Sequence, residues 1–372
     1  MTPADDSLRL SRRELLRSAA LGGTGLLGAY LLACKSGGSS GKPTSVASPT
    51  IPNIVTLESS TMRWRPLAPA GSRPSARHDH SLVTDGQHLY LFGGRNASST
   101  RSDFWSYDIA SNAWTQSSGF GPQPRFGHNA IWDSARKLIV LFGGQDGSTF
   151  YNDVWEFDPA QALWAQVSFS GPSPDPRYGA AAAFDGAEHL LVSHGFTTQG
   201  RFDDTWRYDL AARTWTNVTP AGQKPIKRCL IRGAWDSLKE RLIIFAGQTD
   251  GTPFLDDLWA WSTITDWQAL ARIPHPDARN LYAMVFHDTG AQIILFGGNT
   301  AQGAVNDLWS FHSNGENWTQ FPIDGEPPSP RYGHDMAIAT EAPSIYVFGG
   351  TNGSQQFDDL WHLALAAATA TP

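Results

Sequence analysis

The apolar positions of this chain come in short bursts closed by glycine, as in KLIVLFGG at 137–144 and SIYVFGG at 344–350. Such runs do not alternate with polar residues and are too short for helices, so they predict strands covered on both faces. Each burst follows a segment such as HNAIWD at 128–133 and precedes an aromatic segment such as DVWEFD at 153–158. A fourth segment with a lone tryptophan, LWAQV at 163–167, completes the set. Four short β-strands per unit, separated by turn residues, are expected.

The unit recurs. The glycine closing each apolar run falls at Gly94, Gly144, Gly195, Gly247, Gly298 and Gly350, 50 to 52 residues apart. An acid and a tryptophan two apart follow each time: Asp103/Trp105, Asp153/Trp155, Asp204/Trp206, Asp257/Trp259, Asp307/Trp309 and Asp359/Trp361. The glycine pair after an apolar strand, the aromatic strand and the spaced tryptophan resemble the kelch repeat, over residues 61 to about 364. That resemblance implies an all-β, six-bladed kelch-type β-propeller and leaves the chemistry open, because propellers carry unrelated functions. Two units depart from Phe-Gly-Gly, with Ser193-His194-Gly195 and Phe245-Ala246-Gly247. The fourth-strand tryptophans are Trp114, Trp164, Trp215, Trp267 and Trp318, and nothing similar follows Trp361. Trp64 precedes the first unit instead. The N-terminal segment is therefore expected to supply the outer strand of the last blade and to close the ring.

Every first strand opens with an arginine: Arg77, Arg125, Arg177, Arg228, Arg279 and Arg331. Alternating strand direction places these on the face that carries the glycine pairs and the aspartates. A planar guanidinium fork tying the first strand to the third in every blade explains six copies. The alternative has some arginines pointing into the central mouth, as the matching arginine does in peptide-binding kelch domains. His80, His128 and His334 recur at one position, but equivalent atoms of packed sheets lie about 10 Å apart, and shared zinc needs nitrogens at about 2.0–2.1 Å. They read as structural histidines. Cys229 reads as a buried, inert thiol, and no partners for a copper site of the galactose-oxidase kind assemble around it. Individuality sits in residues that do not repeat: Arg95, Gln145, Phe196, Gln248, Asn299 and Thr351 after the glycines, and His78, Phe126, Tyr178, Cys229, Asn280 and Tyr332 after the arginines. Phe126, Tyr178 and Tyr332 would form an aromatic and cationic rim with the arginines. His194, replacing a glycine, is the oddity of the third unit.

Composition agrees with a turn-rich β protein: 15 Trp, 36 Gly and 24 Pro among 372 residues. The net charge of -7 gives no footprint for nucleic acid. No hydrolase, kinase or phosphate-loop motif appears, so no cofactor or metal is implied. Before the repeats, SRRELL at 11–16 resembles a twin-arginine export signal, and Leu31-Leu32-Ala33-Cys34 resembles a lipobox in which the Cys34 thiol takes a diacylglycerol. The expected organisation is a signal peptide at 1–34, a Ser/Gly/Pro-rich linker at 35–60 and the propeller at 61–366. These readings together describe an extracytoplasmic, lipid-anchored propeller that binds a protein, peptide or glycan of the cell envelope. The rival is a kelch-type sugar epimerase or mutarotase using arginine and histidine of the mouth.

Overall fold

The computed structural model describes residues 62–270, 274–322, 325–339 and 344–365. Every regular element among them is a β-strand, and the fold is an all-β propeller. The second unit shows the pattern: Asn129–Asp133, Leu138–Phe142, Val154–Asp158 and Leu163–Val167 pair antiparallel in that order. Ile139 to Phe142 are buried, as expected for a strand with a sheet on either side.

The repeat predicts six separate four-stranded sheets, and the hydrogen bonding departs from this. Four sheets stand alone, while the fourth and fifth units share one nine-stranded sheet. The link is the two-residue strand Arg279–Asn280, which pairs with Leu255 on one side and with Asn299 and Thr300 on the other. In the other units the residue after the arginine makes an isolated bridge, as Phe126 does with Gln145. In both units the second strand reaches its glycine through a bulge, Phe245/Gly247 and Phe296/Gly298; the fourth unit joins the ladder through Leu255 at the start of its third strand, and the fifth through Asn299 and Thr300 beyond its glycine.

The N-terminal strand Arg63–Leu67 pairs antiparallel with Leu360–Ala364, from Arg63↔Ala364 to Leu67↔Leu360. Trp64 shows how it fits. The fourth-strand tryptophan of one unit packs on the Phe of the preceding unit's Phe-Gly-Gly or Phe-Ala-Gly: Trp114 on Phe348, Trp164 on Phe92, Trp215 on Phe142 and Trp318 on Phe245, at centroid distances of 5.0–5.6 Å. Trp64 packs on Phe296 at 5.0 Å in the same way. At the one remaining seam Ser193 replaces the phenylalanine, and the His194 ring stands edge-on to Trp267 at 5.9 Å.

Near the axis the backbone makes a closed cycle of hydrogen bonds. The amide of Gly127 donates to Asp79 O, Gly179 to Gly127, Leu230 to Gly179, Leu281 to Leu230, Gly333 to Leu281 and Asp79 to Gly333, at 2.7–3.1 Å. All six residues lie in the left-handed region, with φ from 53° to 66°. Only three are glycines, so Asp79, Leu230 and Leu281 each hold a conformation that costs an L-residue about 1–2 kcal/mol. The first glycine of the Phe-Gly-Gly turns is explained by crowding: a Cβ on Gly93 would lie 2.6 Å from Arg125 O, and one on Gly349 would lie 2.7 Å from Arg77 O. The next unit's arginine strand thus presses directly on this turn.

Candidate functional site

The six arginines are built alike. Each is essentially inaccessible to solvent. In the third unit, Arg177 Nε donates to Asp175 O at 2.9 Å, and Nη1 donates to His194 O at 2.9 Å and to Asp204 Oδ1 at 2.5 Å. Nη2 donates to Asp204 Oδ2 at 2.9 Å. Trp206 Nε1 donates to the same Oδ2 at 2.8 Å. The fork recurs as Arg77–Asp103, Arg125–Asp153, Arg228–Asp257, Arg279–Asp307 and Arg331–Asp359. Aromatic rings lie against three guanidiniums, Tyr151 on Arg125, Phe202 on Arg177 and Phe357 on Arg331, at 4.1–4.3 Å. Each fork joins first strand, second-strand carbonyl and third strand, which accounts for the recurrence of both Arg and Asp-x-Trp. These side chains therefore underlie the mouth as fasteners. As candidates for direct contact with a ligand they are displaced by their burial and by their saturated bonding.

The repeated histidines fasten one unit to the last. His334 Nε2 lies 3.1 Å from Phe296 O, so it donates there, and its ring stands edge-on to Phe296. Tyr282 occupies the matching position in the fifth unit and its hydroxyl donates to Phe245 O. His128 lies edge-on to Phe92 and pairs with Ser81 Oγ at 2.9 Å, and His80 lies edge-on to Phe348. Burial, with the neighbouring arginine charges, holds all three imidazoles neutral, well below the usual histidine range. Among the described residues no group of His, Cys, Asp and Glu is arranged to hold a metal ion. Cys229 is buried, and burial pushes its thiol up.

His194 is also placed differently from expectation. It is fully buried in the seam rather than at the mouth, with φ of 63° and Nδ1 2.7 Å from Ser193 Oγ. Burial, followed by the Arg228 charge, brings its pKa down to about 3. A seam that lacks its phenylalanine needs a ring from elsewhere, and a glycine position supplies it.

What remains accessible on the arginine face is an arc of aromatic residues. Phe126 meets Tyr178 at 5.8 Å, Tyr178 meets Phe196 at 5.8 Å, and Phe150 meets both Tyr178 and Phe196 at 6.0–6.3 Å. Arg95 lies over Phe126 at 4.1 Å and Arg201 over Phe196 at 5.4 Å, one at each end. Phe126 is buried, whereas Phe150, Tyr178, Phe196 and Tyr332 are half-buried. Two-residue hairpin strands, Gln145–Asp146 with Thr149–Phe150 and Phe196–Thr197 with Gly200–Arg201, carry the outer members. Beside the arc lies a small open depression lined by Asp79, Tyr178, Leu230, Ile231, Arg232 and Tyr282 among others.

Asp79 anchors this pocket. Its Oδ2 accepts from Arg95 Nε at 3.0 Å and lies 3.0 Å from His78 Nδ1. Burial alone would raise its pKa, but the His78 bond and the charges of His78, Arg95 and Arg232 bring it down to about 2. Arg232 reaches across the axis from the fourth unit, with Nη2 3.5 Å from His80 O and 3.7 Å from Asp335 Oδ1. The expected rim is thus brought together at Phe126 and Tyr178, whereas Tyr332 stands apart in the sixth unit, with the first unit between. Sequence reading missed Asp79, Phe150, Arg201 and Arg232. The available signal was departure from the repeat: an aspartate where three units have glycine, and an arginine four places after Arg228 where no other unit has a cation.

Blades of four antiparallel strands, arginine–aspartate forks and Trp-on-Phe seams define a kelch-repeat propeller. The chain matches the KLHDC2/KLHL20/DRC7 Kelch-repeats domain over residues 35–234 and 231–371, and it belongs to that family. It is similar to the human leucine-zipper-like transcriptional regulator 1, with 31% identity over 304 residues, which is 77% of this chain and 30% of that protein. Kelch domain-containing protein 10 of Xenopus laevis is 27% identical over 314 residues, covering 76% of this chain and 73% of that protein. The chain thus spans less than a third of the length of the leucine-zipper-like regulators.

Proposed function

We propose that the chain is a six-bladed propeller, closed by Arg63–Leu67, that works as a binding scaffold through its arginine face. The closed cycle of six backbone bonds and the seating of Trp64 support the blade count and the closure. The observation that carries the binding reading is the partly accessible arc of Phe150, Tyr178 and Phe196 beside Phe126, capped by Arg95 and Arg201 and mounted on short hairpins over a fastened base. Aromatic and arginine side chains on rigid loops are the usual anchors of recognition. The partner class is a protein, peptide or glycan of the cell envelope. The proposed organisation retains a signal peptide at 1–34, lipidation at Cys34, a linker at 35–60 and the propeller at 61–366. The signal, lipobox and linker lie outside the described residues.

The test is crosslinked capture from envelope membranes with the wild type and with a Tyr178→Ala/Phe196→Ala double variant. Recovery of a specific partner that falls at least about tenfold in the variant is expected, since a buried aromatic anchor contributes about 2 kcal/mol or more. Undiminished capture by the variant would refute the role of the arc.

One observation favours a sugar-isomerising enzyme as a second reading. His78 is a histidine present in one unit only, at the mouth, with a carboxylate on its Nδ1. A carboxylate on Nδ1 orients the ring, and Nε2 is the atom this reading assigns to proton transfer. On this reading a sugar panel is turned over by the wild type, and His78→Gln lowers the rate by about 10²-fold or more. No turnover by the wild type, or an unchanged rate in the variant, removes it.

A further inference from the structure

Among the described residues, the strand that completes the last sheet carries an arginine–histidine pair that recurs in no other sheet. Arg65 sits directly opposite His362 in the register of Arg63–Leu67 with Leu360–Ala364. Arg65 Nε lies 2.9 Å from His362 Nδ1. An arginine Nε–H can only donate, so Nδ1 must offer its lone pair and the imidazole must be neutral, with its proton on Nε2. A second proton would place an N–H against an N–H and two like charges opposite each other on adjacent strands, an arrangement that destabilises a sheet.

We propose that this pair makes the closing strand a pH-sensitive latch: Arg63–Leu67 seats fully only while His362 is neutral, and protonation of His362 loosens it from Leu360–Ala364. The inference rests on the pairing of these two strands and not on what the arginine face binds.

Among the described residues no carboxylate is paired with His362. The His362 side chain is buried, against Arg65 from the closing strand and Tyr346 from Ser344–Phe348, whose ring lies 5.0 Å away. Tyr107 of the first unit stands behind Tyr346 at 6.5 Å. Tyrosine hydroxyls are neutral at these pH values, so Arg65 is the charge that acts on His362. Burial first, then Arg65, brings the imidazole down from 6.5 to about 4.

The direction follows from these values. A histidine released from the strand takes a proton near 6.5, and the seated one resists until about 4. Seating is therefore complete above about pH 6.5 and weakens as pH falls through that value, by up to about tenfold per unit, levelling off near 4. Arg65 is exposed, so solvent and salt screening will reduce the effect. The buried His80, His128 and His334 also resist protonation, but they stand immediately before the first strands of their units and act on the whole domain, so the latch needs a local readout.

Hydrogen exchange of the full chain at about pH 7.5 and about pH 5.5, corrected for intrinsic rates, supplies it. In the wild type the protection of Arg63–Leu67 and Leu360–Ala364 is expected to fall several-fold more than that of the neighbouring Ser344–Phe348. In His362→Gln, whose amide oxygen still accepts from Arg65 but does not titrate, that excess fall should vanish. Arg65→Met should reduce it by less than half, because the burial of His362, the larger cause, remains. An unchanged excess in His362→Gln, or no excess in the wild type, overturns the proposal. If His362→Gln fails to fold, Arg65→Met decides alone, and an undiminished excess there is equally fatal to it.

Discussion

Arg177→Met is expected to lower the unfolding free energy by about 3–5 kcal/mol, the range for breaking a buried ion pair. The side chain has no exposed surface and places its donors on two backbone carbonyls and both Asp204 oxygens. Methionine fills much of the volume, so the loss reports on the fork rather than on a cavity. Arg177→Lys should recover less than half, because an ammonium is a point donor and cannot span a carboxylate bidentately. Asp204→Ala should be worse than Arg177→Met. Asp204 keeps 22% of its side chain in solvent and can rehydrate, whereas Arg177 cannot. Urea denaturation at neutral pH checks the order, and a loss below about 1 kcal/mol for Arg177→Met would mean that the fork is dispensable. The acid limb adds a check of sign. Burial opposes ionisation of Asp204, but the Arg177 bond and charge outweigh it, so its pKa is lowered. The fork's contribution is then present above the ordinary aspartate range and disappears as pH falls through the lowered value.

Trp64→Ala should cost about 3–5 kcal/mol, as truncation of a large core aromatic does. It should also do what no internal tryptophan substitution does. Trp64 lies in a buried cluster with Met62, Phe296, Leu308, Ile345 and Leu363, yet its strand pairs only with Leu360–Ala364, 297 positions away at Arg65–His362, and not with a hairpin neighbour. Loss of the anchor therefore has a local escape, detachment of Arg63–Leu67, which Trp215→Ala in the middle of the third unit lacks. Hydrogen exchange should show Arg63–Leu67 and Leu360–Ala364 unprotected in Trp64→Ala under conditions where Asp335–Ala339 stays protected. Uniform loss across the last sheet would show that closure and sheet stability are one event.

Much of this architecture could be read from residue spacing. The apolar run ending in glycine, Asp-x-Trp and the lone tryptophan each name a strand, because a strand covered on both faces has no polar positions to interrupt it. The fork between first and third strands was legible for the same reason. Six arginines and six aspartates at constant spacing, set on one face by alternating strand direction, leave few other pairings. Trp64 could be assigned to the last unit by counting, since five units held an internal fourth-strand tryptophan and one did not. His194 was legible as an exception but not in its role, because whether a ring in a turn faces solvent or a neighbouring sheet depends on what that neighbour lacks. The missing phenylalanine at Ser193 was the clue.

By itself, then, the sequence determined the strand content, the repeat unit, the buried fork and the source of the closing strand, all of which follow from local periodicity and from pairings within one unit. Only the tertiary structure decided which exceptions meet: Arg95 with Asp79, Arg232 with Asp335, Phe150 with Tyr178, Arg65 with His362. Arg232–Asp335 and Phe150–Tyr178 join different units, Arg95–Asp79 joins two exceptions within the first, and Arg65–His362 spans 297 positions along the chain. A repeat specifies the contacts that recur. The contacts that occur once depend on how neighbouring units are rotated and spaced, a property of packed sheets that no single segment encodes.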